Sequence, residues 1–455
     1  MTIHPRRANN FATKQRAPAT REETIAADLE HSVMRKVAWR LLPFLGLAYF
    51  INALDRFNIS IAALTMNKAL GLSATTYGLG AGAFFWSYVL FQLPANAVLT
   101  RVGARRWLAF IMIFWGVCSA GTAFVTDATT FVIIRFLLGV AEAGYFPGVA
   151  WFMTRWFPSR HRGRAMGIFY ACAAAAGILG GPVSGNLLLL DGWHGLAGWQ
   201  WVFLIEGIPA AMLAVACPFI LRDRVADGHF LDAGERAWLE EQLDHENRQS
   251  PTQTLTLMQA LATPMIVMLI LGYAFIGFGV YSKNFFLPLM IKGMGFNDQT
   301  VGYLSALPNA AGCLAMILMS RSSDRTGERV WHCAGPCLIA SFGLMVVGFT
   351  LGSHPIVALV AYCIAGFGIS GSLPTFWNLP TAFLGPAAAA GGIAIINSVG
   401  NISGYAAPQM VGIVRDYTGN YEVPMMLASL FMLAAGICIA WAPRMAARMQ
   451  PRPAE

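Results

Sequence analysis

The chain has 455 residues, of which 56% are hydrophobic and only 12% charged, with a formal net charge of +8. A soluble globular chain carries about 25% charged residues, and with a mean hydropathy of +0.55 this composition excludes a soluble enzyme and describes a polytopic membrane protein. The eight cysteines lie in or beside apolar runs without the clustered spacing of a zinc or redox site, so no metal and no cofactor is expected.

The first forty residues are polar and basic with no apolar core of a signal peptide, so residues 1–40 read as a cytoplasmic tail. A spanning helix needs roughly 20 mostly apolar residues. On that criterion twelve spans are predicted, at 41–64, 76–98, 107–126, 129–154, 165–189 and 199–221, then 262–291, 299–319, 332–351, 355–377, 387–412 and 424–443. The fold class is therefore all-α integral membrane.

Arg and Lys gather in alternate connections. Arg6, Arg7, Lys14, Arg16, Arg21, Arg35, Lys36 and Arg40 precede the first span, Arg101, Arg105 and Arg106 follow the second, and Arg155, Arg160, Arg162 and Arg164 follow the fourth. Arg222, Arg224, Arg236 and Arg248, then Arg321, Arg325 and Arg329, then Arg444, Arg448 and Arg452 continue the pattern, while the opposite connections hold little beyond Lys68, Lys292 and Arg415. The positive-inside rule then puts both termini in the cytoplasm and makes the net charge topological, with no nucleic acid as partner.

The polar segment 222–258 divides the spans six and six, giving halves at 41–221 and 259–443 and a tail at 444–455. Within it, Asp232 with Glu235 three residues on predicts a capped surface helix. "TRVGARR" after the second span and "SDRTGER" after the eighth repeat at a constant offset of 224, matching Arg101, Gly103 and Arg105 to Arg325, Gly327 and Arg329. Two duplicated six-helix halves are a transporter architecture, with the substrate site expected at the midplane between them.

These loops resemble the G-x-x-x-D-R-x-G-R-R loop of the major facilitator superfamily. The first copy departs from it, with Asn96 for the glycine and Thr100 for the aspartate, while the second keeps Asp324. "LDRFNIS", "RFLLGVAEAGYFPG", "GWQWVFLIEG" and "GIAIINSVGN" resemble the anion:cation symporter family within that superfamily. Its bacterial members import tartrate, phthalate, hydroxyphenylacetate and sugar acids, and vertebrate relatives handle sialate and glutamate. The resemblance implies uptake of a small organic anion driven by protons, with sodium as the open alternative, by a monomer in the bacterial inner membrane.

The residues fit that implication. Asp55 and Arg56 lie roughly 20 Å into the first span, too deep to snorkel, where each charge costs about 2.5–3.5 kcal/mol. Neighbours on a helix project about 100° apart, so each needs partners elsewhere. Arg135 and Glu142 of the fourth span are seven residues apart on one face, about 10.5 Å along the axis, and complete a buried cluster of two acids and two bases. A guanidinium binds carboxylate through paired hydrogen bonds, which makes Arg56 the candidate for the substrate carboxylate. Asp55 and Glu142 are the candidates for proton coupling, with Arg135 beside them.

Tyr88, Trp377, and Asn397 with Asn401 are further cavity candidates; the two asparagines share a face and have interhelical packing as their alternative role. "YSKNFF" places Lys283 and Asn284 in the seventh span. Lys283 has two readings, reception of a second carboxylate or outward snorkelling, of which the latter is the plainer. Ala53 and the run Ala173 to Ala176 stand where sugar-acid relatives often have tyrosine and glutamine, favouring aromatic acids or short dicarboxylates. Gly177, Gly181 and Gly185 form a ladder for close helix packing. Glu206 is a buried acid open to a structural or a coupling role. No GxSxG, HExxH or GxxxxGKS motif is present, so an enzyme is not expected; the competing function is an exporter of organic anions or drugs.

Overall fold

The computed structural model describes residues 21–249, 263–383 and 386–449. Parts of the expected tails and of the connecting segment lie outside these, including Arg6, Arg7, Lys14, Arg16 and Arg452. Backbone polar groups in lipid must be bonded within the chain, and the apolar runs meet that demand as helices. The first half comprises α1 (Arg21–Phe57), α2 (Ile59–Ala69), α3 (Ala74–Val102), α4 (Ala104–Gly121), α5 (Ala128–Glu142), α6 (Tyr145–Thr154), α7 (Ser159–Leu187) and α8 (Gly198–Ile220). After the polar helix α9 (Ala233–Gln249), the second half comprises α10 (Pro264–Gly293), α11 (Asp298–Thr326), α12 (Trp331–Thr350), α13 (Pro355–Phe376), α14 (Asn378–Phe383), α15 (Pro386–Gly400), α16 (Ser403–Thr418) and α17 (Glu422–Met449).

Among the described residues, 11 helical stretches are long and apolar enough to cross a membrane. The expected span at 387–412 is not among them; there Asn401 and Ile402 separate the 15-residue α15 from the 16-residue α16. Backbone bonds from Asn401 to Asn397 and from Ala406 to Ile402, both 3.0 Å, join the two pieces end to end. Three other spans are interrupted as well: the first at Asn58, the fourth after Glu142, and the tenth at Trp377. Every interruption falls at or within three residues of a predicted site residue, and broken helices are where transporters expose backbone and side chains to cargo.

α9 forms as its capping signal predicts, with the Glu235 N–H donating to Asp232 Oδ1 at 2.8 Å and the Asp232 N–H to Glu235 Oε2 at 3.0 Å. Lys36 Nζ meets Glu235 Oε1 at 2.6 Å and ties α9 to the start of α1. Burial pushes the Glu235 carboxyl up, but the bonds from Lys36 and the Asp232 backbone outweigh it and hold the group below the usual glutamate range.

The first repeat loop turns at Gly103, whose φ of +88° favours glycine. Thr100 offers no carboxylate here, and Asp223 supplies one from beyond α8: the Arg105 N–H donates to Asp223 Oδ1 at 2.9 Å. In the second copy, Gly327 makes the turn at φ +71°. Glu328 then caps α12 by accepting the Trp331 N–H at 2.7 Å and the His332 N–H at 3.1 Å.

The halves close on each other at the end remote from α9. A Cβ on Gly78 would lie 2.4 Å from the Pro408 carbonyl oxygen and one on Gly412 2.3 Å from that of Ala74, so glycines let α3 and α16 touch backbone to backbone. Asp416 receives the N–H groups of Thr75 at 2.7 Å and Ala74 at 3.2 Å, capping α3 from the other half. α7 and α11 meet through the predicted glycine ladder, with a Cβ on Gly181 falling 2.5 Å from the Gly302 carbonyl oxygen. Gln299 donates to Asn186 Oδ1 at 2.8 Å just beyond. Past Trp86, which packs on Tyr405 with ring centroids 5.8 Å apart, α3 leaves α16, and Leu90 and Leu93 are 50% and 79% exposed. A cavity lies between the halves, lined from both of them.

Candidate functional site

That cavity holds about 250 Å³. The first half lines it with Tyr49, Asn52, Arg56, Asn58 and Ser184, and the second half with Asn284, Ser305 and Asn309.

Arg56 and Asp55 point in different directions, as neighbours on a helix must. Arg56 turns to the cavity and to α5, where its Nη2 donates to Glu142 Oε2 at 3.0 Å. Its guanidinium lies 5.2 Å from the centroid of the Tyr88 ring and 5.3 Å from that of Phe84, so the aromatic faces of α3 hold it by cation–π attraction. The Arg56 side chain is 22% exposed and that of Glu142 is not exposed at all. Arg56 lines the cavity and Glu142 lies behind it.

Asp55 turns the other way, onto α4. It accepts from the Trp115 indole N–H, from Ser119 Oγ at 2.7 Å and from Asn58 Nδ2 at 3.2 Å. Asp55 is fully buried and does not line the cavity. Arg135 shares the α5 face with Glu142 as the spacing predicts, and lies 5.1 Å from the centroid of the same Phe84 ring. None of its three guanidinium nitrogens has a hydrogen-bond partner. Glu142 thus binds one arginine, while a second on its own helix has unused donors.

Lys283 departs from the plainer expectation. It is 3% exposed and does not snorkel; its Nζ donates to Asn309 Oδ1 at 2.7 Å on α11, inside the second half. Asn309 in turn donates to the Gly177 carbonyl at 2.8 Å, the innermost bond crossing between the halves. Snorkelling fails because Lys283 faces α11 in mid-helix, well short of the end of α10. Asn284, next to it, reaches the cavity wall.

Tyr88 lies under Arg56, as described. Asn401 Nδ2 donates to Asn397 Oδ1 at 3.3 Å, confirming the shared face, and Tyr281 OH donates to Asn401 Oδ1 at 3.4 Å. Trp377 packs on Tyr273 with ring centroids 4.8 Å apart. These three positions stand on the second half's inner side without lining the cavity itself. Sequence reasoning missed Asn58, Trp115, Ser119 and Asn309. Glu206, left open there, accepts from Ser184 Oγ at 2.6 Å.

Two helical halves around a midplane cavity with buried charge on its wall define a secondary transporter. The family model of the Major Facilitator Superfamily matches residues 45–408, and the chain belongs to that superfamily. It is a multi-pass membrane transporter and not an enzyme. The chain is 44% identical over 413 residues to a protein of Agrobacterium vitis provisionally named a tartrate transporter, covering 90% of this chain and 91% of that one. It is 36% identical over 408 residues to the quinolone resistance transporter of Acinetobacter baumannii, covering 89% and 94%. Among solved structures, it is similar in fold to a bacterial homologue of the human lysosomal transporter Spinster in an inward-facing, unoccupied conformation. That similarity has a TM-score of 0.75 at 19% identity and covers 92% of this chain and 99% of that one.

Proposed function

We propose that this transporter imports an organic carboxylate by proton symport across the bacterial inner membrane. The observation that carries the reading is the Arg56–Glu142 pair at the cavity wall, 3.0 Å between Nη2 and Oε2. An arginine holds two carboxylates at full strength only if their charges and donors are shared, so a substrate carboxylate and an ionised Glu142 compete for it. A proton on Glu142 releases Arg56 for the substrate, and the free donors of Arg135 receive Glu142 when it ionises again. Asp55 changes protonation with them through the same helix. A carboxylate cargo also agrees with the tartrate-transporter name of the 44% identical relative.

The alternate states follow from closing the α9 end while the seams of α3 with α16 and α7 with α11 open. The positive-inside rule supports a cytoplasmic α9 end and cytoplasmic termini, on which an arrangement closed at the remote end is the inward-facing one. A monoanion entering with one proton is electroneutral, and each further proton adds about 2.3 kcal/mol per 100 mV of membrane potential. Lys283, a buried cation bonded to a cavity residue, suits a second carboxylate and favours short dicarboxylates or aromatic diacids as cargo. The working unit is a monomer.

Export is the second reading, favoured by the 36% identical quinolone resistance transporter. Uptake of labelled tartrate, phthalate, hydroxyphenylacetate and galactonate into proteoliposomes with an acidic exterior separates the two. Gradient-driven accumulation of one of these acids is expected; exit of acids or drugs against the gradient, with no accumulation, would establish the exporter.

A further inference from the structure

We propose that Glu206, Ser184 and Asn58 form a second proton-binding site, open to the cavity through Ser184 and linked to Asp55 through the Asn58 side-chain amide. This deepens the proton-coupled reading and rests on it.

Glu206 projects from the middle of α8 and is 4% exposed. One carboxyl oxygen, Oε1, accepts from Ser184 Oγ at 2.6 Å; the other, Oε2, is buried with no donor. Asn58, at the interruption between α1 and α2, borders the same carboxyl. Its Nδ2 donates to Asp55 Oδ1 at 3.2 Å, while its Oδ1 is also a buried acceptor without a donor. In the proposed arrangement one proton serves both oxygens: placed on Glu206 Oε2, it gives an O–H that turns to Asn58 Oδ1. Turning the amide over reverses the roles: Asn58 then donates to an ionised Glu206 and accepts from a protonated Asp55. In either orientation the amide, flanked by two carboxyls, calls for one proton between them.

The charge count agrees. The interior of the first half holds Arg56 and Arg135 against Asp55, Glu142 and Glu206, two cations to three carboxylates, so full ionisation leaves one buried negative charge unmatched. An uncompensated buried ion is strongly destabilising, and one proton removes the excess. The elements packed around Glu206 supply no further cation. α1 presents Asp55, α4 presents Trp115 and Ser119, and α7 presents Ser184. Lys68 of α2 is exposed at the remote end, and the arginines of α7 sit in its first two turns. Ser184 and Asn58 line the cavity, so the proton reaches Glu206 from cavity water while the Ser184 hydroxyl keeps its bond to Oε1. The site is thus separate from the Arg56–Glu142 pair and gives the transporter a second proton per cycle.

The test counts protons. In proteoliposomes with the membrane potential clamped at zero, the logarithm of the accumulation ratio of labelled tartrate is plotted against the imposed pH difference, and the slope is the number of protons per substrate. Wild type is expected to give at least two, Glu206→Gln one fewer, about a tenfold loss of accumulation for each pH unit, and Glu206→Asp the wild-type value. A wild-type slope of one, or a wild-type slope retained by Glu206→Gln, overturns the proposal. No accumulation of tartrate or any other acid in the panel contradicts proton coupling itself and takes this inference with it. Should Glu206→Gln not fold, carbodiimide labelling of wild type reads the same site. Glu206 is expected to label at acidic pH and lose label as pH rises; Glu142 labelling with Glu206 unlabelled throughout overturns the proposal.

Discussion

Arg56 and Glu142 meet at 3.0 Å across two helices, the arginine at the cavity wall and the glutamate wholly behind it. On the proposed reading, the pair keeps Arg56 from a substrate anion whenever Glu142 is ionised. Glu142→Gln removes the competitor and keeps a hydrogen-bond acceptor of the same size. Anion binding at pH 8 is expected to tighten on the order of tenfold, ~1.4 kcal/mol, and to lose its pH dependence, while exchange of labelled for unlabelled substrate persists and gradient-driven accumulation is lost. Titration of binding across pH checks it; an unchanged pH profile would count against Glu142 as the competing group.

Arg135 is fully buried with three unused donor nitrogens. A buried cation without hydrogen bonds destabilises the state that contains it. Arg135 is nonetheless one of two cations set against Asp55, Glu142 and Glu206, so Arg135→Gln is expected to lower thermal stability by about 1 kcal/mol or more at pH 8, less at pH 5 where the acids take up protons, and to lower uptake at least about tenfold. The same loss of stability at both pH values would mean that Arg135 serves packing and not the charge of Glu142.

Lys283 separates the cargo classes. With its Nζ bonded to Asn309 of the cavity wall at 2.7 Å, Lys283→Met is expected to raise KM for a dicarboxylate such as phthalate by roughly thirtyfold, about 2 kcal/mol. The KM for hydroxyphenylacetate should change little. Equal effects on both acids would place Lys283 outside the substrate's reach.

Asp416 closes the remote end by capping α3 with two backbone bonds. Burial raises its carboxyl, but the Thr75 and Ser73 contacts and Arg415 outweigh that and hold it at about 2. A depressed carboxylate stabilises above its unfolded pKa of roughly 3.9 and loses that contribution as pH falls through the folded value. The seam should therefore stay closed down to pH 4 and weaken toward pH 2. Asp416→Ala removes a cap of about 1 kcal/mol and is expected to lengthen the distance between spin labels at positions 68 and 417 in a larger share of molecules. No change in that distribution would show that the glycine contacts of α3 and α16 suffice alone.

The charged half of the site was legible because charge in lipid is costly enough to mark itself: Asp55, Arg56, Arg135 and Glu142 stand out from any apolar run. Their pairing was only half legible. Helical spacing put Arg135 and Glu142 on one face, but which neighbour turned Asp55 aside depended on Trp115 and Ser119 of another span, and neutral polar groups in helices carry no such mark. Asp223 illustrates the same limit, since the carboxylate missing from the first repeat loop arrives from a residue 118 positions beyond Arg105 in sequence. The split of the span at 387–412 was not legible either. Asn401 and Ile402 are compatible with helix, and the bond from Tyr281 OH to Asn401 at the break is a tertiary contact that the local pattern does not show.

The central claim, that an anion takes Arg56 only when Glu142 holds a proton, is tested most directly by counting protons on binding. Calorimetry of tartrate or phthalate binding to the purified protein at pH 7.5, in buffers of different ionisation enthalpy, gives that number. The account predicts net uptake of protons with each anion bound, reduced in Glu142→Gln and with no binding in Arg56→Gln. Binding that takes up no proton in wild type, or that survives in Arg56→Gln, would contradict it.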